Sequence, residues 1–452
     1  MKLSRRLIPP PDSYPFFYGW VILAVATIGT IMSIPGQTMG VSVFTDHLIH
    51  ATGLNRNDLA LTYMIGTIAS ALLLPLAGIF YDRHGARKMI VVASSCMALT
   101  LWYLASTREI IVGAAEMLSM PPAQPARGQV AFVVLTSGFL LVRFWGQGVL
   151  TMISRAMLGK WFDKRRGLVS GISGIFVSAS FASAPRFLHW LIVDIGWSGA
   201  WKCLALANGG LLVIGWIFYR DNPEECGLRM DGSREHDKNP ATGKEAHDEI
   251  SSTLGEALTS LAFWIPNISL ALWGLALTGL TFHIVSIGNK ANLPESETLQ
   301  LFLYMAPISI LANILGGLAI GRIRIRFLFF SLMLALTIAS AAMMHLESEA
   351  GRLLTIACIG TSGGLFSILL VVIWPRFFGR KHLGKISSIN MMTMTSASAF
   401  GPWLFAQSEK NTGSYDTAFI GCAVAAGLLL LASLKLKNPA EEACADTKPG
   451  CR

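Results

Sequence analysis

One arginine stands in the middle of an apolar stretch, where a charged side chain is costly and therefore informative. Arg143 lies within residues 139–148, FLLVRFWGQG, and is followed by Gly146 and Gly148. A guanidinium at this place can pair with an anionic substrate, hold backbone carbonyls or take part in proton coupling. The two glycines allow a neighbouring helix to approach closely. The sequence leaves the role of Arg143 open between substrate contact and a structural or proton-coupling role.

Two further ionisable side chains lie in apolar stretches. Arg186 follows Pro185 and either adds positive charge to a binding cavity or extends towards the membrane interface. The imidazole of His283 is a side-chain type that suits proton coupling, and a hydrogen-bonded structural histidine is an equal interpretation. The acidic residues of these stretches fall near their outer ends: Asp46, Glu116 and Asp194. A carboxylate proton relay therefore has little support.

Neutral polar side chains form a third group of candidates. Each can fix one hydrogen bond of a substrate or hold neighbouring helices together. These candidates are Gln37, Thr38, Tyr63, Gln147, Ser154, Asn313 and Asn390. The sequence contains no nucleotide-binding loop with Gly-Lys-Ser/Thr, and it predicts neither a cofactor nor a metal site. An enzyme is the least expected class.

The apolar stretches that must position these residues predict an all-α integral membrane protein. Charged residues make up 14% of the 452 residues and the mean hydropathy is +0.53, whereas soluble chains have about 25% charged residues. Apolar windows of about 20 residues are long enough to cross a bilayer. The twelve predicted spans are 17–44, 59–81, 86–107, 128–158, 167–191, 200–218, 264–287, 299–320, 327–346, 353–373, 386–407 and 415–434.

The order of the spans divides the chain into two halves of six helices. Residues 161–172 parallel residues 377–389, and a proline follows 18 positions after a glycine in each, Pro185 after Gly167 and Pro402 after Gly384. A hydrophilic stretch separates the halves and has the composition of a flexible linker. The predicted parts are a cytoplasmic segment 1–16, the halves 17–218 and 257–434, the linker 219–256, and a cytoplasmic tail 435–452.

The basic charge balance has a membrane explanation. The net charge is +9, and 27 of the 36 Lys and Arg residues fall in the segments on one side of the predicted spans. Positive residues concentrate on the cytoplasmic side of membrane proteins. We therefore expect both termini in the cytoplasm, a location in the cell (inner) membrane, and no nucleic-acid partner.

The loop between the second and third predicted helices has a distinctive sequence, GIFYDRHGARK at residues 78–88. Its residues Gly78, Asp82, Arg83, Gly85, Arg87 and Lys88 match the pattern Gly-x-x-x-Asp-(Arg/Lys)-x-Gly-x-(Arg/Lys)-(Arg/Lys). This loop resembles the signature loop of the major facilitator superfamily of membrane transporters. The resemblance implies two related six-helix halves that bind a small molecule near the bilayer midplane and rock against each other.

The same resemblance implies a gate at the cytoplasmic side. In the first half, Asp82 and Arg83 are expected to meet the start of the eleventh helix near Ser387 and the end of the fourth helix near Arg155. The corresponding loop of the second half, residues 318–326, keeps its cations but has no acid and lacks the second glycine. The predicted gate is therefore asymmetric.

Four shorter stretches, residues 17–20, 40–44, 161–172 and 220–227, are similar to those of the oxalate/formate antiporter and monocarboxylate transporter group. That group moves small carboxylates, often with a proton or by exchange. It commonly places a cation in the eighth or eleventh helix, and this sequence has none in 299–320 or 386–407. A carboxylate substrate therefore requires that Arg143 or Arg186 supplies this cation.

Three functions remain open from the sequence. The first is secondary transport of a small organic anion, coupled to protons or to exchange, by a monomer in the lipid bilayer. The second is export of amphipathic or drug-like compounds through a mainly apolar cavity. The third is a membrane sensor that binds a ligand without transporting it.

Overall fold

The structure is a computed structural model that describes residues 11–117, 124–232, 252–320, 322–437 and 439. All regular elements in these ranges are helices. Those before residue 220 are α1 (Gly19–Ile31), α2 (Thr38–Ser42), α3 (Thr45–Thr52), α4 (Arg56–Ala105), α5 (Thr107–Met117), α6 (Gln124–Val142), a π-helical segment (Arg143–Leu150), α7 (Thr151–Trp161) and α8 (Arg166–Phe218). Those after residue 250 are α9 (Leu254–Thr259), α10 (Leu261–Lys290), α11 (Glu295–Ala319), α12 (Ile325–Met343), α13 (Glu349–Phe378), α14 (Leu383–Thr412) and α15 (Asp416–Ser433).

The helices form two compact units. One comprises Met1–Trp161 and Phe176–His236, and the other comprises Phe162–Ile175 and Asp237–Arg452. Within the first unit, α4 packs along α6 and the π-helical segment, and α1 packs along α7. Within the second unit, α10 packs along α14, α11 along α13, and α12 along both α13 and α15. Each unit thus has its own set of paired helices.

The described helices are long and apolar enough to cross a membrane in nine stretches. Two of them, Asp58–Ala105 and Arg166–Phe218, span 48 and 53 residues, more than twice the length that one crossing needs. Each is interrupted by one non-helical residue, Gly85 in α4 and Gly196 in α8, so each provides two crossings. Together with the less apolar helix α14, which has 30 residues, these stretches are compatible with the predicted twelve spans.

The two arms of α4 run antiparallel. A Cβ atom on Gly66 would lie 2.8 Å from the backbone nitrogen of Leu140, and one on Gly138 would lie 2.6 Å from the side chain of Leu104. Residues near both ends of α4 therefore lie beside the same part of α6. The reversal occurs at Gly85, which has a φ of 77° and a ψ of 168°. Such a conformation is accessible almost only to glycine.

The surface is typical of a protein in contact with lipid. Large apolar side chains such as Leu99, Val193 and Leu206 are each about 70% exposed. These residues lie within the membrane-spanning stretches. Contact of such an apolar surface with water would be unfavourable, whereas contact with the hydrocarbon chains of lipids is favourable.

The first predicted helix, 17–44, is interrupted in its outer half, where Pro35, Gly36 and Gly40 favour a break. After α1, a 3₁₀ turn at Ile34–Gly36 and an extended Gln37 separate it from α2 and α3. Pro35 contributes because it has no N–H to donate. Between the third and fourth predicted spans lies α5, which buries Ile111 and Ala115; residues 118–123 lie outside the described ranges.

The reversal at Gly85 gives a prediction for stability. We expect Gly85→Ala to lower the free energy of unfolding by about 1–3 kcal/mol, because an alanine side chain strains this backbone conformation. Its Cβ would also lie 3.2 Å from Asp221 Cγ. The measurement is the thermal unfolding midpoint of the purified protein in detergent.

Two other glycines provide matched controls. Gly196 has a similar φ of 75° with nothing near its absent Cβ, so Gly196→Ala should show the backbone strain alone. Gly427 lies inside α15 with open space around it, and Gly427→Ala should leave the midpoint unchanged or raise it. Equal midpoints for the Gly85, Gly196 and Gly427 variants would contradict the strain argument.

Candidate functional site

The break in the first helix lies beside Arg143. The Arg143 side chain is only 3% exposed, and its Nη1 donates to the Gly36 carbonyl at 3.2 Å and to Thr38 Oγ1 at 3.3 Å. Gly36 belongs to the 3₁₀ turn and Thr38 begins α2. The guanidinium is therefore held by the interrupted backbone of the neighbouring helix.

Close glycine contact makes this approach possible. A Cβ on Gly146 would lie 2.8 Å from the Cα of Gly36, so neither position accommodates a side chain. Gly146 lies in the π-helical segment, which begins at Arg143. Such segments are rare and occur often at functional sites. The predicted role of Gly146 in close helix approach agrees with this geometry.

Tyr63 completes the surroundings of the guanidinium. Its ring centroid lies 5.3 Å from Arg143 Cζ, within the range of a cation–π contact. Its hydroxyl donates to Thr38 Oγ1 at 3.0 Å. Phe139 packs edge-on against the Tyr63 ring at 5.4 Å. Thr38 itself is exposed, so the polar group reaches the surface of its unit.

The positive charge of Arg143 is not neutralised by a carboxylate within the described ranges. Its Nε atom and the Oε1 atom of Gln147 are buried without a hydrogen-bond partner there. The side-chain amide of Gln37, by contrast with that of Gln147, donates a hydrogen bond to Ser33 Oγ at 3.0 Å. An uncompensated charge at the centre of a membrane-spanning helix costs about 3 kcal/mol. The site therefore has unused capacity for an anion.

Asn390 belongs to a short chain of amides in the second unit. Its Nδ2 donates to Asn267 Oδ1 at 2.9 Å, and Asn267 Nδ2 donates to Thr393 Oγ1 at 3.2 Å. The Asn390 Oδ1 atom is buried without a partner in the described part of the chain. Asn267 was not singled out by the sequence, although its place directly after Pro266 inside an apolar helix was a usable signal.

Asn313 also presents an unused amide oxygen. Its Nδ2 donates to the Gly364 carbonyl at 3.3 Å, while its Oδ1 is buried and has no partner among the described residues. Gly171 and Gly174 of the same unit lie close to this amide, since a Cβ on either would be 3.2 Å from it. Asn313 thus fills a narrow space between helices.

His283 and Arg186 have different surroundings. The His283 ring meets the Pro402 carbonyl through Nε2 at 2.9 Å and the Tyr415 hydroxyl through Nδ1 at 3.4 Å. Tyr415 also donates to Ser286 Oγ at 2.9 Å. Arg186 is exposed on α8. His283 therefore ties α10 to α14 and to Tyr415, which precedes α15.

The signature loop is held by a carboxylate from beyond α8. Asp221 accepts a hydrogen bond from the backbone N–H of Ala86 at 3.0 Å and an ion pair from Lys160 at 3.0 Å. The Lys160 ammonium also lies 4.8 Å from the Tyr81 ring centroid. Asp221 thus caps the second arm of α4 directly after the turn at Gly85.

Other residues of the loop have separate roles. Arg87 donates through Nε to the Trp216 carbonyl at 2.7 Å, and its Cζ lies 4.7 Å from the Trp216 ring centroid. Gly78 is buried, Arg83 and Lys88 are exposed, and Asp82 and Arg155 are partly buried. The contacts expected between Asp82, Arg155 and the region of Ser387 stay a prediction.

Tyr219 ties the end of α8 to α1. Its hydroxyl donates to the Val25 carbonyl at 3.0 Å. Burial raises the pKa of Tyr219 above its ordinary value, so the hydroxyl remains a neutral donor at physiological pH. Tyr219 and Asp221, which the sequence assigned to the linker, are thus packed against the first unit.

Sequence reasoning missed the pair of Lys160 and Asp221. Both are near helix ends, where charged residues are common, and 61 positions separate them. The usable signals were the place of Lys160 directly before the repeated stretch 161–172 and that of Asp221 within the stretch 220–227. Within the described ranges, no cluster of three His, Cys, Asp or Glu residues could hold a metal ion.

The ion pair leads to a second prediction. Asp221→Asn should lower the free energy of unfolding by about 3 kcal/mol, because it leaves the buried Lys160 ammonium without its carboxylate. The double change Lys160→Gln with Asp221→Asn should cost less than the sum of the single changes. The measurement is the thermal midpoint of each variant, and strict additivity would show that the pair does not interact.

Comparison with known proteins places the chain among membrane transporters. It is 23% identical to monocarboxylate transporter 4 of Gallus gallus, covering 92% of this chain and 82% of the relative. It is 26% identical to monocarboxylate transporter 3 of Rattus norvegicus, covering 82% of this chain and 71% of the relative. These relatives are transporters, as predicted, and not enzymes.

Solved structures share the fold. A bacterial homologue of the iron transporter ferroportin has a TM-score of 0.69 at 16% identity and covers 92% of this chain and 99% of its own. The proton:xylose symporter XylE has a TM-score of 0.66 at 14% identity, with 93% and 96% covered. A model of the Major Facilitator Superfamily matches residues 22–402. The chain belongs to the Major Facilitator Superfamily and is a multi-pass membrane transporter.

Proposed function

We propose that this transporter moves a small organic anion, a monocarboxylate or dicarboxylate, by alternating access with proton coupling or exchange. The observation that carries the proposal is the buried Arg143, whose contacts with the described residues are made with neutral oxygens and an aromatic ring. Burying such a charge is costly unless function requires it. A carboxylate would supply the missing negative charge.

The donor geometry suits a carboxylate. A guanidinium presents a planar fork of N–H groups that can bind both oxygens of a carboxylate. Arg143 uses Nη1 for Gly36 and Thr38, while Nε has no partner among the described residues. A charged acceptor would bind these groups more strongly than a backbone carbonyl does. The names of the monocarboxylate transporter relatives support the same substrate class.

The aromatic neighbours of Arg143 limit the size of the substrate. Tyr63 and Phe139 form a wall beside the guanidinium, and Thr38 gives the group access to the surface of its unit. A carboxylate with a short aliphatic part would place that part against the rings. We propose Gln37, Gln147 and Arg186 as further contacts of the substrate in this unit.

In the second unit we propose Asn313 and Asn390 as acceptors and His283 as the proton-coupled group. Each amide has a buried Oδ1 without a described partner, which could accept a hydrogen bond from a substrate hydroxyl or a protonated carboxyl. His283 has hydrogen bonds that depend on its tautomer and charge. Exchange of anions needs no titrating group and is the alternative form of coupling.

We also propose a cytoplasmic gate and an orientation of the protein in the membrane. Asp82, Arg83, Arg155 and the signature-loop glycines and cations would form the cytoplasmic gate. The protein would act as a monomer in the cell (inner) membrane with both termini in the cytoplasm. The halves 17–218 and 257–434 would rock against each other, joined by the linker 219–256.

The first test is uptake of labelled monocarboxylates and dicarboxylates into proteoliposomes, with and without an imposed proton gradient. We expect saturable uptake by the natural chain and a fall of about 100-fold in kcat/KM for Arg143→Gln, because a buried charge contact contributes about 3 kcal/mol. Arg143→Lys keeps the charge but not the fork and should be intermediate. Acceleration by the gradient would indicate proton coupling.

A matched control is Lys410→Gln, which removes an exposed cation from the end of α14 and should leave uptake unchanged. Each variant must keep the thermal midpoint of the natural protein. Failure of a folded natural chain to transport any carboxylate would overturn the proposal and direct attention to export of amphipathic compounds. Binding without accumulation would indicate a sensor.

The hydroxyl of Tyr63 gives a separate prediction. Tyr63→Phe keeps the ring beside Arg143 but removes the hydrogen bond to Thr38. We expect KM for the carboxylate to rise about fivefold, since a hydrogen bond contributes about 1 kcal/mol. Tyr103→Phe removes hydroxyl contacts with Val134 and Ser137 instead and is the control. Equal KM values for the two variants would argue against a role for the Tyr63 hydroxyl.

A further inference from the structure

The corresponding loops of the two halves differ in how their positive charge is compensated. In the first half, one carboxylate, that of Asp221, joins the N-terminus of the second arm of α4 to the Lys160 ammonium. The backbone N–H group of Ala86 and the ammonium both donate to it at 3.0 Å. Such a helix N-terminus with a nearby cation is a favourable anion site. Here the chain itself supplies the anion.

The sequence repeat identifies the corresponding groups of the second half. Aligning residues 78–88 with 317–327 places Ile325 at the position of Ala86, and aligning 161–162 with 377–378 places Arg376 at the position of Lys160. Ile325 begins α12 as Ala86 begins the second arm of α4. Arg376 donates through Nη1 to the Ile320 carbonyl at 2.8 Å, so it lies beside the connection from α11 to α12.

The carboxylate has no counterpart in the second half. Asp221 lies three residues beyond α8, and the residue three beyond α15 is Leu436. The residue before α12, Arg324, provides no side-chain cap, and the first turn of α12 contains no acid. Between Glu297 and Glu347 the sequence has no acidic residue. Among the described residues, the second half thus has the cation and the helix N-terminus without the anion.

Additional arginines strengthen this positive site. Arg322, Arg324 and Arg326 alternate with isoleucines, and none of the three forms an ion pair within the described ranges. The Nε atom of Arg326 is buried and has no hydrogen-bond partner there. Arg376 likewise contacts a carbonyl and no carboxylate. Three arginines in the connection and the first turn of α12, and Arg376 beside that connection, therefore lie near an uncapped helix N-terminus.

The apolar residues around these arginines indicate where the anion comes from. Ile323 and Phe327 are 43% and 44% exposed, and they alternate with the arginines along the chain. The site lies between two helical stretches, Gln300–Ala319 and Ile325–His345, that are long and apolar enough to cross a membrane, so it is expected near the lipid headgroups. A free phosphate ion would not use these apolar side chains, whereas the acyl chains of a phospholipid would pack against them.

We propose that Arg322, Arg324, Arg326 and Arg376, together with the N-terminus of α12, bind the phosphate of an anionic phospholipid. The lipid headgroup occupies in the second half the place that the Asp221 carboxylate occupies in the first. The positive charge at this loop is thus neutralised by the Asp221 carboxylate in the first half and by a membrane lipid in the second. Arginine clusters near a membrane surface recognise anionic lipids through this combination of charge and hydrogen bonding.

The test measures lipid binding to the delipidated full-length protein in detergent. Native mass spectrometry gives the apparent affinity for phosphatidylglycerol and for zwitterionic phosphatidylcholine, and the thermal midpoint gives the accompanying stabilisation. We expect phosphatidylglycerol to bind preferentially and Arg324→Gln with Arg326→Gln to weaken it about 25-fold, at about fivefold for each cation near an anionic surface. Arg324→Lys with Arg326→Lys should bind with intermediate affinity.

A matched control removes two exposed cations elsewhere, by Arg229→Gln with Lys410→Gln, and should change the affinity less than twofold. The single changes Arg324→Gln and Arg326→Gln replace the double variant if it does not elute as a folded protein. Undiminished binding by the arginine variants, an equal loss in the control, or equal binding of phosphatidylcholine would overturn the proposal. Stabilisation by inorganic phosphate equal to that by phosphatidylglycerol would overturn the lipid as the source of the anion.

Discussion

The free-energy cost of placing the Arg143 charge inside the bilayer explains the local structure around it in the first unit. Arg143 lies in a membrane-spanning helix, and the first helix is interrupted beside it, so that a backbone carbonyl and a threonine hydroxyl reach the guanidinium. The interruption is possible because Pro35 lacks an N–H group and because Gly36 and Gly146 permit close backbone contact. Local irregularity at membrane depth is tolerated where protein surrounds it. The charge, the break and the glycines depend on one another.

Much of this architecture was predictable from local sequence. Span length follows from the thickness of the bilayer, so apolar windows indicated the crossings, including those that meet at Gly85 and Gly196. A lone arginine in such a window stands out because hydrocarbon cannot solvate it. The repeat of residues 161–172 and 377–389 indicates two related halves, and the family match agrees with that architecture.

The partners of these residues were not predictable in the same way. Asp221 and Lys160 meet only after α8 has returned to the loop, and the amide chain of Asn267 and Asn390 joins residues 123 positions apart. No periodicity encodes such contacts, since they depend on how helices pack. The interruption at residues 34–37 was suggested by Pro35 and Gly36, but the π-helical segment at Arg143 had no signal in the sequence.

The single-residue turn at Gly85 has a mechanical consequence. With no slack between its arms, the hairpin of α4 cannot lengthen, slide or absorb an inserted residue without losing the register of its contacts with α6. The Asp221 carboxylate fixes the turn to the end of α8 and thereby adds a third point of attachment. The two arms of the hairpin are therefore expected to move together as one stiff body.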